Sequence, residues 1–449
     1  MSYVNQDEYY NPKEFCDLEF FENNVIKENN FDVSYYILSE YFHYHSKDGT
    51  FLIKLSIFDD EERGTIYKDK KTVKNILDIL MNPNLSKDKK SKELEKLNIT
   101  EKEKKGIGSM LGMAIGDAMG SRLEFKPIDY DNKNPLKNMG KNPGGHFNLY
   151  PGQWTDDTSM GLCLADSLLM NKGQLNQRDL MHRFIAWWRG GYNNAFRFNE
   201  KPRSSVGLGG NINLSFKKYL KDYNENRQLK DETEAGNKET SGNGTLMRNA
   251  AIPICFNDDI NEARKMATMQ SLVTHQGIEA KECCSLLTHI IFRIFEGKNQ
   301  LKEILYNLDT DFKCDIKSVN YLAASKQEGD DIDRNWNWKI KEQYKYSPSR
   351  SYSNPGYIGS YAMDNMAMSL NIIYNTDNFK DAIIKAVNLK GDSDSVGSVV
   401  GQIAGAYYPI EEIPSDWIKE INKWDHGEIA LRGYMLARLK KGDSYIIKN

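Results

Sequence analysis

Residues 107 to 120 read IGSMLGMAIGDAMG, with Gly108, Gly112, Gly116 and Gly120 at every fourth position. In a helix this spacing lays the glycines along one face. Each costs about 1 kcal/mol of helix propensity against alanine, so four together predict a need for close backbone approach. Thr100 and Glu103 stand just upstream at capping-box spacing, which predicts the start of the helix. A similar stripe recurs at Gly397, Gly401 and Gly405 and is ended by Pro409. Two helices facing each other through bare backbone are therefore expected. Between them, residues 160–170, 177–188, 260–270, 278–296 and 361–374 carry apolar side chains at three-and-four spacing. Neither a βαβ alternation nor an internal repeat accompanies them, so the fold class expected for residues 101–449 is all-α.

Upstream the composition changes. Ser86 to Lys105 contains eight lysines, five acidic residues and no aromatic residue, the pattern of a solvated helix or linker. A boundary at residue 100 is expected there. Residues 1–100 are dense in aromatics (Tyr9, Tyr10, Phe20, Phe21, Tyr35, Tyr36), and Phe51 to Ile57 reads as a strand. A small α+β extension is the expectation, its aromatics forming a core of their own or lining a partner surface.

The whole chain has 449 residues, 60 Lys plus Arg against 63 Asp plus Glu, and a formal charge of -3. No overall basic field is available to hold a phosphate backbone, which argues against general nucleic-acid binding. The longest charge-free run, Ser395 to Ile410, is shorter than the roughly 18 to 20 residues a membrane helix needs. The first fifteen residues, MSYVNQDEYYNPKEF, have neither a basic n-region nor an apolar h-region, so a cytoplasmic location is expected. Six cysteines with no CxxC make a poor disulfide framework, and reduced, mostly buried thiols are predicted.

Two acidic clusters stand at the heads of helical patterns: Thr155-Asp156-Asp157-Thr158 and Asp392-Ser393-Asp394-Ser395. Such oxygens have an ordinary use there, capping free backbone N–H groups. Together, however, they offer four carboxylates and several hydroxyls with no His or Cys, the hard-oxygen set that Mg²⁺, Mn²⁺ or Ca²⁺ prefers. If the clusters converge, a pair of divalent ions is the natural compensation for their repulsion. Three further features are polar and isolated: Glu124 after the glycine-striped helix, the small-residue turn Ser241-Gly242-Asn243-Gly244-Thr245-Leu246-Met247-Arg248, and His275. The turn either presents backbone N–H groups to an anion or is a plain type I′ turn at Asn243-Gly244.

The order GMAIGDAMGSRLEF, QWTDDTSM, SGNGTLMRNAAIP, VTHQGIEA, LKGDSDSVGSVVGQIAGAYYP resembles the ADP-ribosylglycohydrolase family. The resemblance runs from about Lys104 to about Tyr408 and implies an all-α bundle with two Mg²⁺ or Mn²⁺ ions at the floor of a cleft. It implies Thr155, Asp156, Asp157, Asp392, Asp394 and Ser395 as metal ligands, with Ser395 standing where the family usually has threonine. Glu124 and Asp157 become the catalytic candidates. Ser241, Gly242, Asn243, Gly244 and Met247 match the diphosphate loop, His275 the histidine beside ADP-ribose, and Tyr357 the adenosine-side wall. Two departures stand out. Lys390 replaces a glycine before the second cluster, and glycine replaces an aspartate in the Gly207 to Asn211 segment.

The resemblance implies hydrolytic removal of ADP-ribose from a modified protein, with arginine the favoured acceptor. Immunity-type members of similar layout further imply a cognate ADP-ribosyltransferase toxin as partner. An alternative from another class is a binding protein that occludes such a toxin through residues 1–100.

Overall fold

The computed structural model describes residues 64–196, 205–226, 241–347 and 355–439. Helices α1 (Gly64–Leu80), α2 (Lys87–Glu95), α3 (Glu101–Gly120), α4 (Asp156–Met170), α5 (Gln177–Gly190) and α6 (Gly210–Asn226) come first. They are followed by α7 (Ala251–Cys255), α8 (Ile260–Leu272), α9 (Ile278–Glu296), α10 (Ala362–Tyr374) and α11 (Phe379–Val387). The series ends with α12 (Ser393–Tyr407), α13 (Ser415–Asp425) and α14 (Glu428–Arg438). Among the described residues there is no strand, only isolated bridges such as Gly242 with Tyr361. The all-α expectation holds. The expected strand at residues 51–57 and the aromatics before it lie outside the described residues.

α3 is the axis of the molecule. Thr100 accepts from the Glu103 N–H at 3.2 Å and the Glu103 carboxylate accepts from the Thr100 N–H at 2.5 Å, closing the predicted box. From Gly106 to Gly120 the helix is buried on every side. A helix so enclosed needs neighbours on all faces, and the glycines decide which. α12 runs antiparallel against the stripe, pairing Gly108 with Gly405, Gly112 with Gly401 and Gly116 with Gly397. A Cβ on any of these six would fall less than 3.0 Å from the opposing carbonyl oxygen. On another face Gly106 meets Gly433 of α14 in the same way. Side chains then lock the arrangement. Ser109 Oγ donates to Gln402 O at 3.0 Å, while Gln402 Nε2 donates to Met247 O at 2.7 Å and Ser398 Oγ to the same carbonyl at 2.9 Å.

The lysine-rich stretch is more than a solvated linker. Ser86 caps α2, whose Leu94 is buried, and Lys90 is buried as well, its Nζ donating to Leu80 O at 2.6 Å and Ser415 Oγ at 2.5 Å. A lysine stem covers apolar surface while its head finds acceptors, which is how so charged a segment packs. The expected division at residue 100 falls between α2 and α3, and α1 before it places Val73, Ile76, Leu77 and Leu80 in the same core as α13 and α14. Of the cysteines, Cys163, Cys283 and Cys284 are free and buried, and Cys255 and Cys314 are free and partly covered. No helix among the described residues is long and apolar enough to cross a membrane.

Candidate functional site

Antiparallel packing of α3 on α12 brings the C-terminal end of one to the N-terminal end of the other. Gly120 sits against the backbone of Ser393 and Asp394, and Ser393 Oγ donates to Gly120 O at 2.8 Å. α4 starts at the same point. Its N-cap, Thr155, makes no side-chain capping bond, and neither does Asp392, the N-cap of α12. The two N-cap side chains are thus free of the ordinary capping task, although Asp394 Oδ1 accepts the Ser395 N–H at 3.0 Å, and oxygens of the two clusters turn toward each other. Thr155 Oγ1 lies 3.3 Å from Asp157 Oδ2 and 3.4 Å from Asp394 Oδ2. The two motifs converge.

Beneath them lies Asp117, which the sequence motifs did not single out. It is fully buried. Its carboxylate accepts from the Thr155 N–H at 3.0 Å and hydroxyl at 2.9 Å, and from the Thr158 N–H at 2.9 Å and hydroxyl at 2.6 Å. Asp117 therefore holds the head of α4 in place, taking the N–H of Thr155 itself and the Thr158 N–H that the Thr155 side chain leaves uncapped. The available signal was an acid in the last turn of a glycine-striped helix otherwise uncharged from Ile107 onward, where an unpaired carboxylate is untenable. A second brace comes from Asp166 of α4, buried with Arg432 at 2.7 Å. Asn193 Nδ2 donates to Asp166 Oδ2 at 2.9 Å and accepts the Trp154 indole N–H on its own carbonyl at 3.1 Å, which fixes the residues leading into Thr155.

Glu124 enters from the loop after α3. Phe125 takes positive φ (65°) and its N–H donates to Gly391 O at 3.0 Å, while Gly391 N–H donates to Lys126 O at 2.8 Å. This pairing puts the Glu124 carboxyl beside Asp392 and Asp394. Lys390 adopts φ 64°, a region glycine favours, and its Nζ pairs with Asp129 at 2.9 Å. The ammonium is therefore committed to Asp129 rather than to the carboxylates. Tyr357 stacks on Phe125 with ring centroids 5.5 Å apart, and its hydroxyl bonds Asp392.

The turn opening at Ser241 lies alongside. Asn243 Nδ2 donates to Gly359 O at 2.9 Å and Asp392 Oδ2 at 3.1 Å, and Met247 Sδ lies 3.7 Å from Ser395 Oγ. Neither Asn243 nor Gly244 has positive φ, so the type I′ alternative is excluded. Gly242 and Gly244 press on the His275 ring, where a Cβ would come within 3.1 Å and 2.9 Å. His275 is buried, and burial pushes its pKa down to about 3, so it is neutral. Its Nδ1 shares a hydrogen bond with Thr274 Oγ1 at 2.9 Å. Gly207, with φ 92°, lies so close to Asp156 that a Cβ would collide with Asp156 Oδ1. Any side chain at position 207 would displace Asp156, so this glycine goes with the present position of that carboxylate.

Six carboxyl groups are thereby buried together: Asp117, Glu124, Asp156, Asp157, Asp392 and Asp394. Burial, followed by mutual repulsion, pushes Glu124, Asp156, Asp157 and Asp394 well above the usual carboxylate range. Burial raises Asp117 and Asp392 too, against hydrogen bonds that lower them. Among the described residues none of the six forms an ion pair. Two overlapping triads, Asp117-Asp157-Asp394 and Glu124-Asp392-Asp394, each bring their oxygens within 4.8 Å of one another. Glu124 Oε2 and Asp157 Oδ1 are buried without any hydrogen-bond partner. An all-oxygen set with orphaned acceptors, at two helix N-termini, fits hard divalent cations.

Known proteins show the same frame. A family model described as ADP-ribosylglycohydrolase matches residues 99–443. ADP-ribosylarginine hydrolase Tri1 of Serratia proteamaculans is 30% identical over 317 residues, 71% of this chain and 75% of that one. The ADP-ribosyl-[dinitrogen reductase] glycohydrolase of Rhodospirillum rubrum is 24% identical over 71% of this chain and 90% of its own. A solved structure described as an ADP-ribosylglycohydrolase-related protein complex superposes with a TM-score of 0.54 at 26% identity, covering 76% of this chain and 100% of that one. With its helical frame, its convergent carboxylates and these matches, the chain belongs to the ADP-ribosylglycohydrolase family of hydrolases.

Proposed function

We propose that the chain removes ADP-ribose from arginine side chains of modified proteins in a reaction that depends on divalent cations. One observation carries this reading: the heads of α4 and α12 leave their own capping oxygens unused and direct them, with Glu124, into one buried cluster. Thr155, Asp156, Asp157, Asp392, Asp394 and Ser395 would hold the ions, two Mg²⁺ or Mn²⁺. When bound, these supply Lewis-acid charge at the sugar hydroxyls and at a water.

The protein's residues do the rest. Asp117 orients Thr155 and Thr158, and Asn243 and Tyr357 orient Asp392. Either Asp157 Oδ1 or Glu124 Oε2, the two orphaned oxygens, is the atom we assign to take the proton from the attacking water. Water oxygen bonds to the anomeric carbon, the bond from that carbon to the guanidine nitrogen breaks, and a proton ends on the departing guanidine. The Ser241–Met247 turn and neutral His275 would face the diphosphate, where backbone N–H groups and an uncharged imidazole bind without competing for the cations. The Serratia and Rhodospirillum relatives are named for ADP-ribosylarginine and for ADP-ribosyl-dinitrogen reductase, and the first of these names supports the arginine linkage.

A second role is supported by the family match beginning at residue 99, which leaves the aromatic-rich N-terminal segment unaccounted for. We propose an ADP-ribosyltransferase toxin as the partner of that segment. Because α1 and α2 belong to the core, a truncation that separates the two roles removes residues 1–63. It should abolish binding to such a partner and leave turnover intact.

The primary test incubates the purified protein with an arginine-ADP-ribosylated protein and a serine-ADP-ribosylated peptide, each with Mg²⁺ or EDTA, and measures free ADP-ribose. Release from the arginine substrate in Mg²⁺ alone is the expected result. Release that persists in EDTA overturns the metal requirement, and release from serine alone overturns the acceptor.

A further inference from the structure

The turn at Ser241 is also tied to a second polar knot, outside the carboxylate cluster. Glu279 lies in the first turn of α9, just after His275. Its Oε1 accepts from Ser318 Oγ at 2.6 Å and from Arg334 Nη2, and its Oε2 accepts from the Tyr361 hydroxyl. Arg334 donates further, through Nε to Glu328 Oε2 at 2.7 Å and through Nη1 to the Tyr361 oxygen at 3.0 Å. Its guanidinium stands 5.3 Å from the ring centroid of Trp336, and that fully buried indole packs 6.1 Å from the Tyr361 ring.

Tyr361 is joined to the turn by backbone. It forms an antiparallel bridge with Gly242; on either side of it, Asn243 N–H donates to Ser360 O at 2.9 Å and Ala362 N–H to Ser241 O at 2.8 Å. The knot thus connects the two pieces of chain that meet at the proposed diphosphate site, the turn through Tyr361 and the His275 segment through Glu279. Burial would push Glu279 up, but Ser318, Tyr361 and Arg334 outweigh it and hold the carboxylate below its ordinary range. Burial and Glu279 push the Tyr361 hydroxyl up, which keeps it a donor. Glycines at 242 and 244 give the turn little stiffness of its own. Backbone N–H groups bind an anion well only when they are aimed before it arrives.

We infer that Tyr361, Glu279 and Arg334 are positioning residues that hold the Ser241–Gly244 turn and His275 in register for the diphosphate of ADP-ribose. This rests on the assignment of that turn under the proposed function. None of the three need touch the ligand.

The test measures ADP-ribose affinity by calorimetry, together with kcat, KM and Tm, for the full chain and for Tyr361→Phe and Glu279→Gln. Both variants keep shape and ring packing. Tyr361→Phe removes two charge-assisted hydrogen bonds and Glu279→Gln removes the charge that three donors share. Either change should weaken ADP-ribose binding about tenfold and raise KM similarly, with kcat within about twofold and Tm within a few degrees. Affinity unchanged in Tyr361→Phe and Glu279→Gln, whether or not Tm falls, overturns the inference and makes the knot a matter of stability alone. Failure of the unaltered chain to bind ADP-ribose overturns the underlying assignment as well, which separates the two outcomes.

Discussion

Asp157 is under two opposed demands. Without cations it is a buried carboxylate beside Asp117 and Asp394, its Oδ1 unpartnered and its pKa raised by burial and by its neighbours' charge. With cations it is a proposed ligand. Asp157→Asn should therefore melt at a higher temperature than the parent protein in EDTA, gain less from added Mg²⁺, and lose about 10² to 10³ in turnover. A variant that kept full turnover would sink the assignment. Lys390 gives the contrasting case. Its ammonium is committed to Asp129 and its backbone already adopts a glycine-like φ. Lys390→Gly should leave turnover within about twofold, since a partly exposed pair acts weakly over distance. At this scale the carboxylates of the two clusters were readable because they sit next to one another in sequence. Asp117 and Tyr361 were not. Asp117 works through Thr155 and Thr158, 38 and 41 positions away, and Tyr361 through Glu279, 82 positions away. Such pairings exist only once the chain is folded.

Among the elements, α3 and α12 carry the strongest expectation. Gly112→Ala would drive a Cβ into the carbonyl of Gly401, a backbone atom that cannot rotate aside. We expect a loss of about 3 kcal/mol or more, read as a fall in the urea midpoint or as insoluble protein. Gly210→Ala, at the head of α6, meets nothing within 4 Å and should be neutral or stabilising by up to about 1 kcal/mol. The stripe was legible because repeated glycine weakens a helix unless another backbone must come close, and its period named the facing partner. α2 was less legible. Its lysines dominate the composition, whereas its packing depends on one leucine and on the stem of Lys90, which no charge count distinguishes from its neighbours. The Asn243-Gly244 turn was ambiguous for a related reason. Local chemistry permits a hairpin there, and the bridge from Gly242 to Tyr361 that decides otherwise joins residues far apart in the chain.

For the molecule as a whole, the buried carboxyls link stability to pH. Groups whose folded pKa lies above the unfolded value bind more protons in the folded state, so their contribution falls as pH rises from the ordinary carboxylate range upward. His182 and His275, pushed down to about 3 by burial, and His289, pushed to about 4, act in the opposite sense and weaken the fold below about pH 6.5. Their effect is common to samples with and without cation. The difference in Tm between Mg²⁺ and EDTA should therefore grow from pH 5.5 to pH 7.5, as ligands no longer need to shed protons to bind. A difference that shrinks over that range would show that the cluster is not where the cation acts. The contact of Gly120 with Ser393 and Asp394 has a further consequence. The gap between the two acidic motifs is gauged by main chain against main chain, with no rotamer in between. Side-chain substitutions in either motif can then change the oxygens it offers without changing that gap, whereas any side chain at position 120 would force the two motifs apart.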